Sequence, residues 1–224
     1  MTDEPATTLA LIRHGESNVT VNRIIGGHRT CSGLSDLGRL QAERLHDRLA
    51  TTCELAADVL LASNFARAIQ TAEIIAPAFR DLAIDIDPGF GEHDPGPEID
   101  GMTFDRYVER FGKPNWSDPD VDVFPGGETI SAFHSRVGSA LAALFAAHRG
   151  KSIVVACHGG VVDATFRHLL RTASTGGFEL HTSNTSITEF GSVASGEWRL
   201  RRYNDAAHLH GLPAETPRAT TART

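Results

Sequence analysis

The chain contains little cysteine, and it lacks the long apolar runs that are typical of membrane proteins. Its three cysteines, Cys31, Cys53 and Cys157, form no C-x-x-C pair, and their odd number favours a reducing interior over a disulfide framework. No apolar run approaches the about 18 residues of a membrane span. The first residues include Asp3 and Glu4 without a basic segment and a long apolar core, so no secretory leader is predicted. We therefore expect a cytoplasmic protein that does not contact a membrane.

Positive charge is also in short supply. The chain carries 21 Lys and Arg against 28 Asp and Glu, which gives a formal net charge of -7. This balance argues against a broad surface for nucleic acid, although it leaves room for a local cationic pocket. With 224 residues, of which 41% are hydrophobic, the chain is long enough to bury one proper core.

Strand-like and helix-like patterns alternate along the chain. Short apolar runs predict strands, amphipathic spacing predicts helices, and two β-rich runs near the end predict a hairpin. The predicted strands are Leu9–Ile12, Asp58–Ala62 and Ile153–Cys157, and the predicted hairpin pairs Ser186–Phe190 with Trp198–Arg202. The predicted helices begin near Ser35, Phe65, Phe104, Glu128 and Gly159, and the second of them ends near Ala76, before Pro77.

Strands that are separated by helices predict the fold class. The pattern indicates an α/β protein, a three-layer α/β/α sandwich around a mostly parallel central sheet. Residues 1–204 contain no linker or internal repeat and are predicted to form a single domain. Residues 205–224 are rich in Ala, Thr, Pro and charge, which predicts a flexible tail. The hairpin edge is expected either to pair with a second copy in a homodimer or to be covered by this tail.

Two of the predicted strands are each followed within two residues by a histidine. The first is followed by Arg13 and His14, and the strand Ile153–Cys157 is followed by His158 and two glycines. Because ligands of open α/β sheets bind at the carboxyl ends of strands, these side chains are candidates for one site. A neutral imidazole is a competent nucleophile, and arginine presents a planar fork to two phosphate oxygens. The alternative for Arg13 and His14 is a solvated strand end.

A second arginine strengthens this interpretation. Arg67 is predicted to lie in the first turn of a helix that directly follows a strand, where the helix N-terminus favours anions. His158 precedes Gly159 and Gly160, where another helix begins with free backbone N–H groups. The alternatives are a surface arginine for Arg67 and a hydrogen-bonded core histidine for His158. Together these residues predict a site for a phosphoryl group.

Other routes to phosphate chemistry lack their sequence signatures. A cysteine-based phosphatase needs arginine six residues after its nucleophile, but Leu37, Val59 and Asp163 occupy those positions. No P-loop G-x-x-x-x-G-K-[ST] occurs. The 11 histidines include the segments 92–94 and 208–210, but no His-Glu-x-x-His is present, so no catalytic metal is predicted.

The ordered motifs resemble those of the histidine phosphatase superfamily, which includes the cofactor-dependent phosphoglycerate mutases. Arg13-His14-Gly15-Glu16 is similar to the signature motif of that family. The segment 63–72, with its Ser63-x-x-x-Arg67 spacing, is similar to the second arginine motif, and 157–160 is similar to the second histidine motif. Residues 125–128 and 184–186 also match family segments, so the resemblance covers about residues 8 to 205. It implies a phosphoglycerate mutase-like fold.

The resemblance implies a role for each of these residues. His14 would be the nucleophile that forms a phosphohistidine, and Arg13, Arg67 and His158 would hold the phosphoryl oxygens. The carboxylate that acts as acid and base in the family is best matched by Glu92. Other carboxylates in the same loop remain alternatives: Asp94, Glu98 and Asp100.

Secondary phosphate contacts are less well defined by the resemblance. Many relatives carry an asparagine at the position of Thr20, whereas this chain has Asn18 two residues earlier. We therefore predict substrate contacts from Ser17, Asn18 and Thr20, and from the backbone N–H of Gly27. For Gly27 a plain turn is the alternative.

The segment 89–122 does not resemble the corresponding stretch of the mutases. This departure favours a phosphomonoester hydrolase that acts through a phosphohistidine on a small phosphorylated metabolite, without a cofactor. A phosphoglycerate mutase-type phosphotransferase is the alternative within the family. A third interpretation is an inactive module that binds phosphoesters or proteins.

Overall fold

A six-stranded sheet organises the chain, which a computed structural model describes over residues 6–193 and 196–217. Its strands are β1 Thr8–Arg13, β2 Val59–Ala62, β3 Ile84–Ile86, β4 Ser152–Cys157, β5 Ile187–Ser192 and β6 Trp198–Asp205. Their spatial order is β3-β2-β4-β1-β5-β6. Strands β1 to β4 run parallel to one another, whereas β5 pairs antiparallel with both β1 and β6. The sheet is therefore mostly parallel, as predicted.

Helices cover both faces of this sheet. They are α1 Asn18–Val21, α2 Asp36–Thr52, α3 Ala66–Ile75, α4 Phe104–Phe111, α5 Ile130–Ala147 and α6 Gly159–Leu170. Helices α2 and α3 pack on one face, and α5 and α6 pack on the other. This arrangement is the three-layer α/β/α sandwich that the alternation of patterns predicts.

The alternation of side chains along β1 explains how one short strand serves both layers. Leu9 and Leu11 face the core beneath α5 and α6, whereas Ala10 and Ile12 face the core beneath α2 and α3. All four are buried, so every position between the end residues Thr8 and Arg13 is apolar. A run of apolar residues of this kind is typical of a central parallel strand that is buried on both faces.

Local signals set the helix ends. The side chain of Ser35 accepts a hydrogen bond from the Gly38 N–H at the start of α2, and Thr129 caps α5 in the same way. Helix α3 ends at Ile75, and Pro77 continues the chain as a short 3-10 turn, which confirms the predicted end. Strand β3 and helix α1 were not predicted, because segments of three and four residues are too short to show periodicity.

Helix α5 is long and apolar enough to cross a membrane by length and composition alone, and it is the only such helix among the described residues. In the structure it packs on the sheet through Phe133, Val137 and Leu141. A core helix passes the same test of length and hydropathy.

Three predicted features lie partly outside the described residues: the amino-terminal segment at 1–5, the hairpin connection at 194–195 and the tail at 218–224. Strand β6 extends to Asp205, one residue beyond the predicted domain end at 204. The division at 204 and the flexibility of the tail stay predictions, although the described part of that tail contacts the domain.

The first turn of α2 packs against the turn that follows β1, backbone against backbone. A Cβ atom built on Gly38 would overlap the carbonyl oxygen of Glu16, and one on Gly15 would overlap the carbonyl oxygen of Gly38. The Ser35 N–H also donates to the Glu16 carbonyl at 2.9 Å. Glycine at position 38 therefore allows α2 to support the residues around His14.

We expect Gly38→Ala to lower the free energy of unfolding by about 1–3 kcal/mol through overpacking. Alanine's better helix propensity, worth at most about 1 kcal/mol, would offset only part of this loss. Urea denaturation measures the difference. Gly138→Ala in α5 is the matched control, because its Cβ meets only the exposed ring of His168, which can move away. Equal stability of the two variants would contradict the packing argument.

Candidate active site

Strands β1 and β4 deliver two histidines to one place. Arg13 and Cys157 are register partners at the ends of these parallel strands, and the His14 N–H donates to the Cys157 carbonyl at 2.9 Å. The ring centroids of His14 and His158 consequently lie 5.0 Å apart in an edge contact, with 65° between the ring planes. The two histidines that the sequence places far apart are therefore neighbours at one sheet edge.

The hydrogen bonds of His14 define its protonation pattern. Its Nδ1 lies 2.6 Å from the Gly15 carbonyl oxygen, which can only accept, so Nδ1 carries the proton. Its Nε2 accepts a hydrogen bond from Arg67 Nε at 3.0 Å. The ring is thus neutral with a lone pair on Nε2. The side-chain amide of Asn184 donates to the His14 carbonyl at 2.8 Å and holds the backbone.

His158 is fully buried and is oriented by Ser63, whose Oγ lies 2.7 Å from His158 Nε2. Ser63 Oγ also accepts the Phe65 N–H at 3.2 Å and has one hydrogen to donate, for which Nε2 of His158 is the acceptor among the described contacts. Burial, and next the charge of Arg67, hold the pKa of His158 well below its usual value. The neutral ring therefore carries its proton on Nδ1, which has no hydrogen-bond partner within the described part of the chain.

Two buried guanidinium groups complete this cluster. Arg67, the second residue of α3, contacts His14 Nε2, the sulfur of Cys31 at 3.3 Å, and the ring of Phe65, with Cζ 4.6 Å from its centroid. Arg13 donates from Nη1 to the Thr182 carbonyl. Both arginines are only 4% exposed. With His14 they line one end of a cavity of about 350 Å³, which has the charge to attract an anion.

Of the four candidate carboxylates, Glu92 is the one that lines this cavity. Its Oε2 accepts the Gly160 N–H at 3.2 Å at the start of α6, and its Oε1 accepts the His93 N–H at 3.0 Å. A Cβ atom on residue 160 would overlap the carboxylate, which would have to shift to make room for it. Glu92, Gly159 and Gly160 line the same cavity as His14.

The other three candidate carboxylates are used elsewhere, and none of them lines the cavity. Asp94 accepts the Gly96 N–H at 2.9 Å, and Glu98 forms an exposed ion pair with Arg110 at 2.7 Å. Asp100 accepts the Thr30 hydroxyl and the backbone N–H groups of residues 27 and 29. Burial raises its pKa, but these bonds, with that of Thr30 the largest, lower it on balance. The structure thus separates Glu92 from its alternatives.

The predicted secondary contacts divide into two pairs. Ser17 and Thr20 line the cavity, and their hydroxyl oxygens lie 3.0 Å apart. Asn18 does not line it, because its amide donates to the Leu34 carbonyl at 3.1 Å. Gly27 does not line it either, because its N–H is bound to Asp100 at 2.8 Å. The structure therefore does not bring Asn18 and Gly27 into the site.

Beyond the cationic end the cavity walls are mostly apolar. They are formed by Val19, Ile24, Ile25, Phe104, Trp116, Phe124, Ile130, Phe133 and Leu180. Of the remaining charged side chains in the lining, Arg23 pairs with Asp105 at 3.2 Å and Asp163 pairs with Arg167 at 2.7 Å. Glu179 also belongs to the lining. The described lining thus combines a cationic cluster with mostly apolar walls, which we call the apolar compartment.

The family model of the histidine phosphatase superfamily (branch 1) matches residues 9–206, nearly the whole described chain. The chain belongs to this superfamily. The family predicted from the motifs is therefore confirmed, and so is the phosphoglycerate mutase-like fold.

Two relatives of the chain carry different names, one a mutase-like protein and the other a phosphatase. It is 29% identical to phosphoglycerate mutase-like protein 4 of Arabidopsis thaliana, over 90% of this chain and 86% of that protein. It is 27% identical to the uncharacterized phosphatase PhoE of Bacillus subtilis, over 92% of this chain and 98% of that protein. The solved structure of YhfR from Bacillus stearothermophilus is 26% identical, with a TM-score of 0.77 over 91% of this chain and 99% of that one. Family and relatives support a phosphatase activity.

Several residues that hold the site's side chains in place were not predicted from the sequence. Ser63 and Asn184 stand in quoted motifs, but their partners His158 and His14 are distant in sequence and could not be deduced. Thr182 acts through its backbone carbonyl, which leaves no side-chain signal at all. Cys31 contacts Arg67 from a loop without a motif.

Replacing Ser63 by alanine removes the hydroxyl that fixes the His158 tautomer. We expect S63A to lower kcat for a phosphate monoester by at least about tenfold, because the Nδ1 proton is no longer held in place. Steady-state kinetics measure the loss, and circular dichroism verifies the fold. Ser186→Ala is the matched control, since Ser186 is equally buried but its Oγ has no hydrogen-bond partner among the described residues. Equal losses in both variants would contradict the tautomer assignment.

Proposed function

We propose that this protein is a metal-independent phosphomonoesterase that hydrolyses a small phosphorylated metabolite through a phosphohistidine on His14. One observation carries the proposal. The Nε2 lone pair of His14 points at the Arg67 guanidinium, while Nδ1 is anchored on the Gly15 carbonyl. An imidazole that is oriented through Nδ1, and whose Nε2 faces a cation, suits attack by Nε2 on an anionic phosphoryl group.

The first step transfers the phosphoryl group to the enzyme. His14 Nε2 attacks phosphorus, the P–N bond forms, and the bond from phosphorus to the alkoxy oxygen breaks. Glu92 gives its proton to that oxygen, so that an alcohol departs. Arg13, Arg67 and the Nδ1–H of His158 donate to the three equatorial oxygens, whose charge they stabilise.

The second step returns the enzyme to its starting state. Water attacks phosphorus, Glu92 takes the proton that water loses, and the P–N bond breaks to release inorganic phosphate. Glu92 thus acts as acid and then as base, and His14 recovers its lone pair. The hydrogen bonds that Glu92 accepts from the N–H groups of Gly160 and His93 keep its carboxylate at the cavity wall through both steps.

The apolar compartment favours hydrolysis over the mutase reaction. A phosphoglycerate carries a carboxylate beside its phosphate and needs a second cationic contact. Arg23 is the remaining arginine in the cavity lining, and Asp105 already pairs with it. The walls built from Trp116 and Phe124 instead suit an alcohol with an aromatic or aliphatic group and no second anion.

The wild-type enzyme is expected to hydrolyse para-nitrophenyl phosphate in the presence of a chelator, and His14→Ala is expected to be inactive. Rapid quenching with radiolabelled substrate should trap a phosphoenzyme that is labile in acid and stable in alkali, as a phosphoramidate is. Label that persists in H14A, or activity that disappears with the chelator, would refute the proposal. Phosphate transfer between phosphoglycerates without release of inorganic phosphate would indicate the mutase instead. Binding without turnover would indicate an inactive module.

Glu92→Gln keeps the shape of the side chain but removes its proton-transfer function. We expect kcat for an alkyl phosphate to fall by roughly 100-fold or more, because its leaving oxygen must be protonated. Formation of the phosphoenzyme from para-nitrophenyl phosphate should fall much less, because nitrophenolate departs unaided. Glu98→Gln is the control, and it should retain full activity with both substrates. Equal effects of E92Q on both esters would assign the proton transfer to another group.

A further inference from the structure

The segment that the sequence predicts as a flexible tail holds a loop next to the active site. We name residues 204–216 the C-terminal strap. The side chain of Asn204 accepts the N–H of Ser183 at 2.6 Å, and Glu215 accepts the N–H of Asn184 at 2.7 Å. Between them, His208 Nε2 lies 2.8 Å from the Thr185 hydroxyl. Three consecutive loop residues, 183 to 185, are thus each held by the strap.

This loop in turn holds the nucleophile. The amide of Asn184 donates to the His14 carbonyl at 2.8 Å, and the Thr185 N–H donates to the Arg13 carbonyl at 2.8 Å. The Arg13 guanidinium donates back to the carbonyl of Thr182, at the start of the same loop. Two successive residues of the signature motif are therefore fixed by a loop that has its own support in the strap.

A second strap contact reaches the signature motif directly. The Thr216 N–H donates to Glu16 Oε2 at 2.7 Å across 200 residues of sequence. Glu16 is only 3% exposed, and its other oxygen accepts the hydroxyl of Ser35, the cap of α2. The carboxylate of Glu16, two residues after His14, is thus bound on one side by the strap and on the other by the first residue before α2.

The strap is attached at its start by charge. Arg48 of α2 donates two hydrogen bonds to Asp205, at 2.9 and 2.6 Å. The hydrogen bond from Arg48 lowers the pKa of Asp205 to about 2, so this carboxylate is ionised at neutral pH. None of the strap residues belongs to the buried hydrophobic core. Its described contacts with the loop and the motif are polar and directional, which suits positioning better than bulk packing.

We propose that the C-terminal strap positions His14 for attack, with Glu215 as the positioning residue that acts through Asn184. The proposal rests on the phosphatase function proposed above, since it assigns a task to that nucleophile. Without Glu215, the buried N–H of Asn184 loses its acceptor, and the amide that restrains the His14 carbonyl is free to shift. A displacement of the nucleophile lowers the rate of transfer while leaving the phosphate-binding arginines in place.

The test compares Glu215→Ala with Glu215→Gln, whose side-chain carbonyl keeps the acceptor. We expect E215A to lower kcat for para-nitrophenyl phosphate by about tenfold with less than about twofold change in KM, and E215Q to restore most of the activity. Deletion of residues 214–224 also removes the Thr216 contact with Glu16, so its loss of kcat should be at least as large as that of E215A. Deletion of residues 218–224 is the matched control, since it removes none of the strap contacts described here. A merely structural role would instead lower the melting temperature of E215A with kcat unchanged.

Hydrogen exchange measured by mass spectrometry provides a readout that does not depend on turnover. Peptides that cover residues 9–17 and 183–186 should exchange faster in E215A than in the wild type and in E215Q. Unchanged exchange together with unchanged kcat would overturn the strap proposal. If the wild type itself hydrolyses no ester, the phosphatase proposal fails, and the exchange of the signature motif still decides whether the strap holds it.

Discussion

The parallel pairing of β1 with β4 is the constraint on which the active site depends. Because Arg13 and Cys157 are register partners, the residues that follow them leave the sheet at the same edge, and the His14 N–H still bonds to β4. This register brings the rings of His14 and His158 to 5.0 Å. A shift of one residue would turn both the apolar core positions and the catalytic side chains to the wrong faces.

The guanidinium groups of Arg13 and Arg67 are buried around this pair. Burying a charge destabilises the folded state unless the charge has partners. Arg13 uses a backbone carbonyl, and Arg67 uses an imidazole nitrogen, a sulfur and an aromatic face. None of these partners carries a full negative charge. Guanidinium groups at the cavity wall favour an anionic ligand, as a site for phosphoryl transfer requires.

Much of the fold and part of the site could be predicted from the sequence, because those features are local. Apolar strands, capped helices and the break at Pro77 depend on neighbouring residues, and they were found close to their predicted places. The motif residues lie at the last position of a strand, directly after a strand or at a helix start: Arg13, His14, Arg67 and His158. Strand β3 has three residues and pairs only at an edge, so it carries no comparable signal.

The sequence by itself determined the family and which histidines and arginines end the strands, because short motifs and local patterns encode both. The tertiary structure alone decided that Glu92, and not Asp94, Glu98 or Asp100, faces the cavity. It also turned Asn18 and Gly27 away from the cavity and placed Thr216 of the C-terminal strap against Glu16, two residues after His14. These outcomes depend on hydrogen bonds between residues that lie 16 to 200 positions apart in the sequence, and no local pattern specifies such partners.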